Sequence, residues 1–208
     1  MLNFENLDKA VYSGAGAYDI PELPPVTDVP SAEWISFNFA KSCNAPEGKG
    51  VHFFVDDYQF VRVWNSPDKY IPLLKRFAAV LAPDFSTYTD MPRAMQIYNH
   101  YRKHWVARYL TDSGITVIPT ISWSTPDSYE WCFEGEPRNS VVAISTVGCM
   151  RRDALELFLM GFDEMKRRLS PALIICYGAE IEASVTLKGC VNIPPYYKKI
   201  KERCNGNN

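Results

Sequence analysis

The residues best equipped for chemistry in this 208-residue chain are aspartates that follow short apolar runs. In "GVHFFVDDY" (residues 50–58) the run ends in Asp56 and Asp57. In "VLAPDFSTYTDMP" (80–92) it ends in Asp84, with Tyr88 and Asp90 close behind. Carboxylates gathered from separate segments can hold a divalent cation such as Mg²⁺ or Mn²⁺, which prefers hard oxygen ligands. Alternatively, one can act as a general base beside a second whose pKa is raised. Asp56 and Asp84 close apolar runs and have no evident capping duty, so they carry the metal or acid–base reading, with Tyr88 beside them. Asp57 and Asp90 have plainer alternatives: a turn for Asp57 and, before Met91-Pro92, a helix start for Asp90.

Other residues suggest ligand contacts. In "VVAISTVGCMRRD", Ser145, Thr146 and Gly148 form a small-residue turn before a helix, where backbone N–H groups can cradle a phosphate and Arg151 and Arg152 add charge. The same residues also suit an ordinary strand–helix loop with solvated arginines. Trp123 stands where a strand ends and could stack on a base or sugar, whereas Trp131 reads as core. His100 and His104 in "NHYRKHW" share a helix face at the i, i+4 spacing of a metal clamp, but no third ligand and no intervening glutamate accompany them. In the simpler reading that helix covers a sheet and turns Arg102, Lys103 and Arg108 to water. Gly14-Ala15-Gly16 lacks the third glycine of a dinucleotide fingerprint.

The elements that must position these groups follow a repeated pattern. Strands are expected at 34–40, 50–58, 79–84, 115–123, 140–146 and 172–178. Helices are expected over 66–77, from Asp90 to about Ser113, from Ser124 onward, and over 150–169, where Leu155, Phe158, Leu159, Phe162, Met165 and Leu169 recur at helical spacing. Strands apolar on both faces that alternate with helices indicate a parallel α/β sheet covered on both sides. A TIM-barrel-like arrangement, complete or incomplete, is preferred to a doubly wound sheet because polar residues recur at nearly every strand end. One rim then collects Asn38, Asp56, Asp57, Asp84, Ser122, Trp123, Ser145, Thr146 and Tyr177. The expected organisation is an irregular arm over 1–33, a single α/β domain over 34–190 and a basic polar tail over 191–208.

Composition narrows the classes. A formal net charge of -2 excludes a general electrostatic footprint for nucleic acid. A local patch of Arg102, Lys103, Arg108, Lys198, Lys199 and Lys201 stays open. The six cysteines form no CxxC pair, which removes zinc-ribbon, iron–sulfur and thioredoxin signatures. Cys132, Cys149 and Cys176 read as inert core thiols. No secretory leader and no apolar run of membrane length is visible, so a reducing cytoplasm without membrane attachment is the expected setting.

The segments "GVHFFVDDYQFVRVWNSPDKYI", "VLAPDFSTYTDMPRAMQIYNHYRKHWVARYL", "GITVIPTISWS", "VVAISTVGC" and "LIICYG" together resemble the Domain of Unknown Function 4417 family. The likeness spans about residues 34–178, and the run from Pro83 to Pro92 is its most specific part. The resemblance implies one domain and a bacterial, phage or mobile-element setting, and it transfers no catalytic residue. Three functions remain open. The first is a hydrolase or transferase acting on a phosphorylated or nucleotide-like small molecule: Asp56 and Asp84 hold a metal or act as base, Tyr88 and Asn38 orient the substrate, and Ser145 and Thr146 bind phosphate. The second is a non-catalytic protein that binds a host protein or a nucleotide. The third is a nucleic-acid-associated protein, against which the near-neutral charge counts.

Overall fold

The computed structural model describes residues 4–28, 32–149, 151–178 and 190–193. A small antiparallel pair, β1 (Gly14–Ala15) and β2 (Ile20–Pro21), precedes the main elements. These are β3 (Glu33–Ser36), α1 (Phe37–Ala40), β4 (Lys49–His52), α2 (Asp57–Asn65), α3 (Pro67–Leu74), β5 (Ala79–Leu81) and α4 (Arg93–Asp112). There follow β6 (Val117–Ile118), a 3-10 turn (Pro126–Glu130), β7 (Val141–Ser145), α5 (Arg152–Leu169), β8 (Leu173–Tyr177) and β9 (Cys190–Ile193).

Strands β3 to β6 form one parallel sheet and β7 to β9 another, each in chain order. The two are joined at Thr120, which bridges in parallel to Ala143. There Ile121 N donates to Ala143 O at 2.8 Å and Ala143 N donates to Pro119 O at 2.7 Å. Every strand of this parallel series therefore lies beside its sequence neighbour, without the order reversal that defines a doubly wound sheet. The surface is also strongly curled. Strands β4 and β8 are four places apart, about 19 Å in a flat sheet, yet the rings of His52 and Tyr177 lie 4.4 Å apart and Phe54 stacks on Tyr177 at 5.0 Å. No ladder joins β3 to β9 among the described residues.

The period-2 alternation of the strands sorts the core into layers. Leu81, Ile118, Ala143, Ile175 and Ile193 meet on the concave side. On the convex side, Val51, Val80 and Val117 pack beneath α2–α4, and Val142, Ile144 and Ile174 beneath α5. The irregular segment before β3 lies against α4: Trp105 Nε1 donates to Ala10 O at 3.0 Å, and Ile20 and Leu23 are buried. No described helix is long and apolar enough to cross a membrane.

Several expected boundaries move. The strand expected over 34–40 ends at Ser36, whose hydroxyl accepts from Asn38 N at 3.4 Å and starts α1. The strand expected over 50–58 stops at His52, and Asp57 opens α2. The long helix starts at Arg93, two residues beyond Met91, with Pro92 rather than Asp90 at its cap position. The Ser36 cap ends a strand that hydrophobicity alone would extend, and Pro92 sets the start of the long helix.

Candidate functional site

A cleft of about 730 Å³ opens at the C-terminal ends of the parallel strands. One wall is the 83–92 loop, and α4 and α2 pin it from behind. Asp57 accepts from both Ser86 N, at 3.1 Å, and Ser86 Oγ, at 2.8 Å. Asn99 Nδ2 donates to Ser86 O at 2.6 Å. Gln96 Nε2 donates to Tyr88 O and Met91 O at 3.0 and 2.9 Å. Buried Gln96 and Asn99 thus satisfy carbonyls that a loop would otherwise have to expose to water. Phe85 packs on Phe60 and under the Arg102 guanidinium, which lies 4.2 Å from its ring centre. The loop that carries Asp84 is thereby held on both of its faces.

Asp84, Tyr88, Asp90 and Asp56 line this cleft together with Ser122, Trp123, Ser145 and Cys149. Asp84 is partly open to the cleft, yet protein surrounds most of its carboxyl. That burial pushes its pKa up to about 6, against the opposing pull of Lys103 and the Ser122 hydroxyl, while Asp57 adds to the rise. A carboxyl titrating there can exchange protons near neutral pH. Trp123 is held in place by α5: its indole packs on Phe158 at 5.3 Å, and a Cβ on Gly161 would overlap its Cδ1. Gly148, with φ +83°, turns the chain below Ser145, whose hydroxyl accepts from Val147 N at 3.1 Å.

The remaining expected residues have other positions. Asn38 is exposed on α1 and its amide donates to Gln59, whose own amide reaches Asp56 at 3.2 Å. Asp56 occupies the cap position of α2 rather than a strand end, without a capping hydrogen bond. Asp57 is committed to Ser86, and Thr146 is fully buried with its hydroxyl 3.4 Å from Tyr177 O. Arg151 is exposed at the cap of α5 and does not line the cleft. Tyr177 points into the concave core, and Trp131 is buried as core. Burial pushes the thiols of Cys132 and Cys176 up to about 12 and that of Cys149 to about 11.

The expectation that α4 turns a basic face to water needs correction. Lys103 is buried, because Glu136 and the Thr120 carbonyl replace its solvent: its Nζ lies 2.9 Å from Glu136 Oε1 and 2.7 Å from Thr120 O. Arg102 stacks on Phe85 and Tyr98, and Arg108 on Tyr12. Of the basic residues considered for nucleic acid, Lys198, Lys199 and Lys201 lie outside the described residues.

Glu136 also meets His104, with Nε2 2.9 Å from Oε1, and it supplies the third potential ligand that the His100–His104 spacing lacked. Burial alone would raise the Glu136 carboxyl, but Lys103 and His104 outweigh it and hold the pKa below the usual carboxylate range. Burial first, then the charges of His104 and Lys103, holds His100 well below the ordinary imidazole value. Glu136 is not singled out in the sequence, and Lys103 reads there only as part of a basic face turned to water. The one available signal was a lysine between two histidines on a helix whose neighbours are mostly apolar or aromatic.

Comparison with known proteins adds a family and two phage relatives. The family described as "Domain of unknown function (DUF4417)" matches residues 12–189. The chain is 40% identical over 173 residues to the Gene 1 protein of Mycobacterium phage L5, covering 82% of this chain and 75% of that one. It is also 40% identical over 174 residues to the Gene 1 protein of Mycobacterium phage D29, covering 82% of this chain and 64% of the relative. The chain thus spans three quarters of the first relative's length and less than two thirds of the second's. No solved structure matches.

Proposed function

Starting from a chain that belongs to the DUF4417 family, with relatives among mycobacteriophage Gene 1 proteins, we propose that the cleft is an active site for a nucleotide-like or phosphorylated small molecule. The observation that carries this reading is convergence. Side chains from the ends of separate parallel strands, Asp84, Ser122 with Trp123, and Ser145, line one cleft, at the edge where parallel α/β proteins bind ligands. The consecutive strand order and strong curl favour an incomplete TIM-like barrel as the scaffold.

In this reading Asp84 is the general acid–base of a hydrolase or transferase. Ser122 orients its carboxyl, and Trp123 and Tyr88 offer surfaces on which a base or sugar stacks. The turn at Ser145–Gly148, before α5, offers backbone N–H groups to a phosphate. No lysine or arginine lines the cleft among the described residues. A phosphate would therefore enter with a divalent cation, which Asp56 at the rim meets.

The test is a thermal-shift comparison of the wild type and Asp84→Asn against nucleotides with and without Mg²⁺ or Mn²⁺. A ligand that binds the native state raises the midpoint. We expect a nucleotide-dependent rise in the wild type that Asp84→Asn loses while remaining folded. An unmoved midpoint across the panel counts against the reading. It would favour a second one, a non-catalytic protein that captures a host protein, for which Tyr88 and Val147 at the cleft mouth, 60% and 62% exposed, are the relevant surface.

A further inference from the structure

Behind the sheet, away from the cleft, two histidines and a glutamate share an arrangement that the proposed reaction does not use. His100 and His104 stand one turn apart on α4, and Glu136 approaches from the segment after the 3-10 turn. One potential ligand atom from each lies within 4.8 Å of the others, and all three residues are buried.

The hydrogen bonds assign the protons. His104 Nδ1 lies 2.8 Å from the Pro21 carbonyl oxygen, which can only accept, so Nδ1 carries the hydrogen and donates. His100 Nε2 donates in the same way to the Glu134 carbonyl at 3.1 Å. Each ring is thus fixed through one N–H by a backbone carbonyl, which leaves His100 Nδ1 and His104 Nε2 as the nitrogens that can face an ion. This is the outer arrangement that orients metal-binding histidines. Gly135 allows it: a Cβ there, at φ +73°, would press 2.9 Å from His104 Nδ1.

Two of the potential ligand atoms lack partners. His100 Nδ1 and Glu136 Oε2 are shut off from water and have no hydrogen-bond partner among the described residues. His104 Nε2 faces Glu136 Oε1 at 2.9 Å, a pairing that requires a proton or a cation between them. A proton on His104 would serve that contact alone and leave the other two atoms bare, at about 1–3 kcal/mol each by general experience with buried polar groups. One metal ion serves all three residues.

We propose that His100, His104 and Glu136 bind a single divalent transition-metal ion of the zinc type. Two imidazoles and a carboxylate suit such a borderline ion, whereas Mg²⁺ and Ca²⁺ seek all-oxygen shells. Lys103 and His104 both meet Glu136 Oε1, and the unpartnered Oε2 is the further ligand atom the carboxylate offers an ion. The ammonium opposes a dication, but Glu136 and Asp84 both lie within its electrostatic reach, so the surroundings contribute two carboxylates against one ammonium. A second cavity, lined by Glu134, Gly135 and Glu136, offers a route for the ion. The ion would tie α4 to the 134–136 segment, and the hydrogen bond from His104 to the Pro21 carbonyl carries that tie to the chain before β3.

The experiment uses the purified full chain, stripped with chelator, reloaded with Zn²⁺ or Co²⁺ and desalted. We expect about one equivalent retained per chain. X-ray absorption should show a shell of nitrogen and oxygen only, at about 2.0–2.2 Å. His100→Ala and Glu136→Gln should each weaken retention at least about tenfold. Retention by the wild type below about a tenth of an equivalent overturns the proposal. So does a sulfur-containing shell, which would assign the ion to cysteines, or folded variants that retain metal like the wild type. Should both variants fail to fold, the wild-type stoichiometry and shell decide alone.

Discussion

Lys103 Nζ lies 2.9 Å from Glu136 Oε1 with both side chains closed to water, so the two charges are screened by each other and by neighbouring protein groups rather than by solvent. Removing one partner should cost far more than removing both. In chelator-treated protein, Lys103→Met is expected to lower unfolding free energy by about 3–5 kcal/mol, the range for a buried charge left unpaired. Lys103→Met combined with Glu136→Gln should recover part of that loss. Urea denaturation of the three proteins measures it, and a single variant within about 1 kcal/mol of wild type would show that the pair is not buried as described.

Asp84 should make the fold less stable as pH rises. Its pKa rises from 3.8 to about 6 on folding, so between those values the native state holds more protons than the unfolded one. Stability then falls as pH increases through the window, and the full burden is present above about pH 6, at roughly 2–3 kcal/mol. Asp84→Asn should therefore unfold at higher urea than wild type at neutral pH and show a flatter stability profile between about pH 4 and 6. Equal slopes for the two proteins would refute the shift.

Gly161 is the point where α5 touches the indole of Trp123. Alanine in mid-helix is ordinarily worth about 0.5–1 kcal/mol over glycine. Here its methyl would overlap the ring, so Gly161→Ala is expected to destabilise by about 1–3 kcal/mol. The displaced indole moves into the cleft, where tryptophan emission shifts to the red and any nucleotide-dependent thermal shift shrinks. Stabilisation with unchanged emission would mean that Trp123 is free to move aside.

Strand and helix alternation was legible because apolar runs and 3.6-residue periodicity directly report burial. Within the expected 140–146, 150–169 and 172–178 segments lie β7, the whole of α5 and β8. Boundaries were legible only where a capping side chain or proline was weighed against hydrophobicity. Ser36 ends β3 and Asp57 opens α2 inside stretches that look continuously strand-like.

The cleft was partly legible, since position after a strand foretells the rim. By sequence Asp57 reads as a turn residue and Asp84 as the candidate acid–base, but the environments that tie one carboxylate to a loop and raise the other toward neutral pH do not show there. What separates them is whether Ser86 or only Ser122 and buried protein surrounds the carboxyl, a tertiary fact. The same holds for Lys103. Helical periodicity assigns a lysine to water by default, and only the arrival of Glu136, 33 residues later, reverses that. His100 and His104 stood out by spacing, but their third partner could not be chosen among the chain's acidic residues without the fold.

The consecutive order of the strands also bears on how the chain comes together during synthesis. Each strand pairs with the one made just before it, so the sheet can grow in the order in which it leaves the ribosome, through short-range closures that fold quickly. The segment before β3 is the exception. Ala10 receives its hydrogen bond from Trp105, 95 residues later, and Pro21 receives one from His104, 83 residues later. The hydrogen bonds of this early segment therefore cannot close until α4 has emerged, as a clasp fastened over a sheet already under construction.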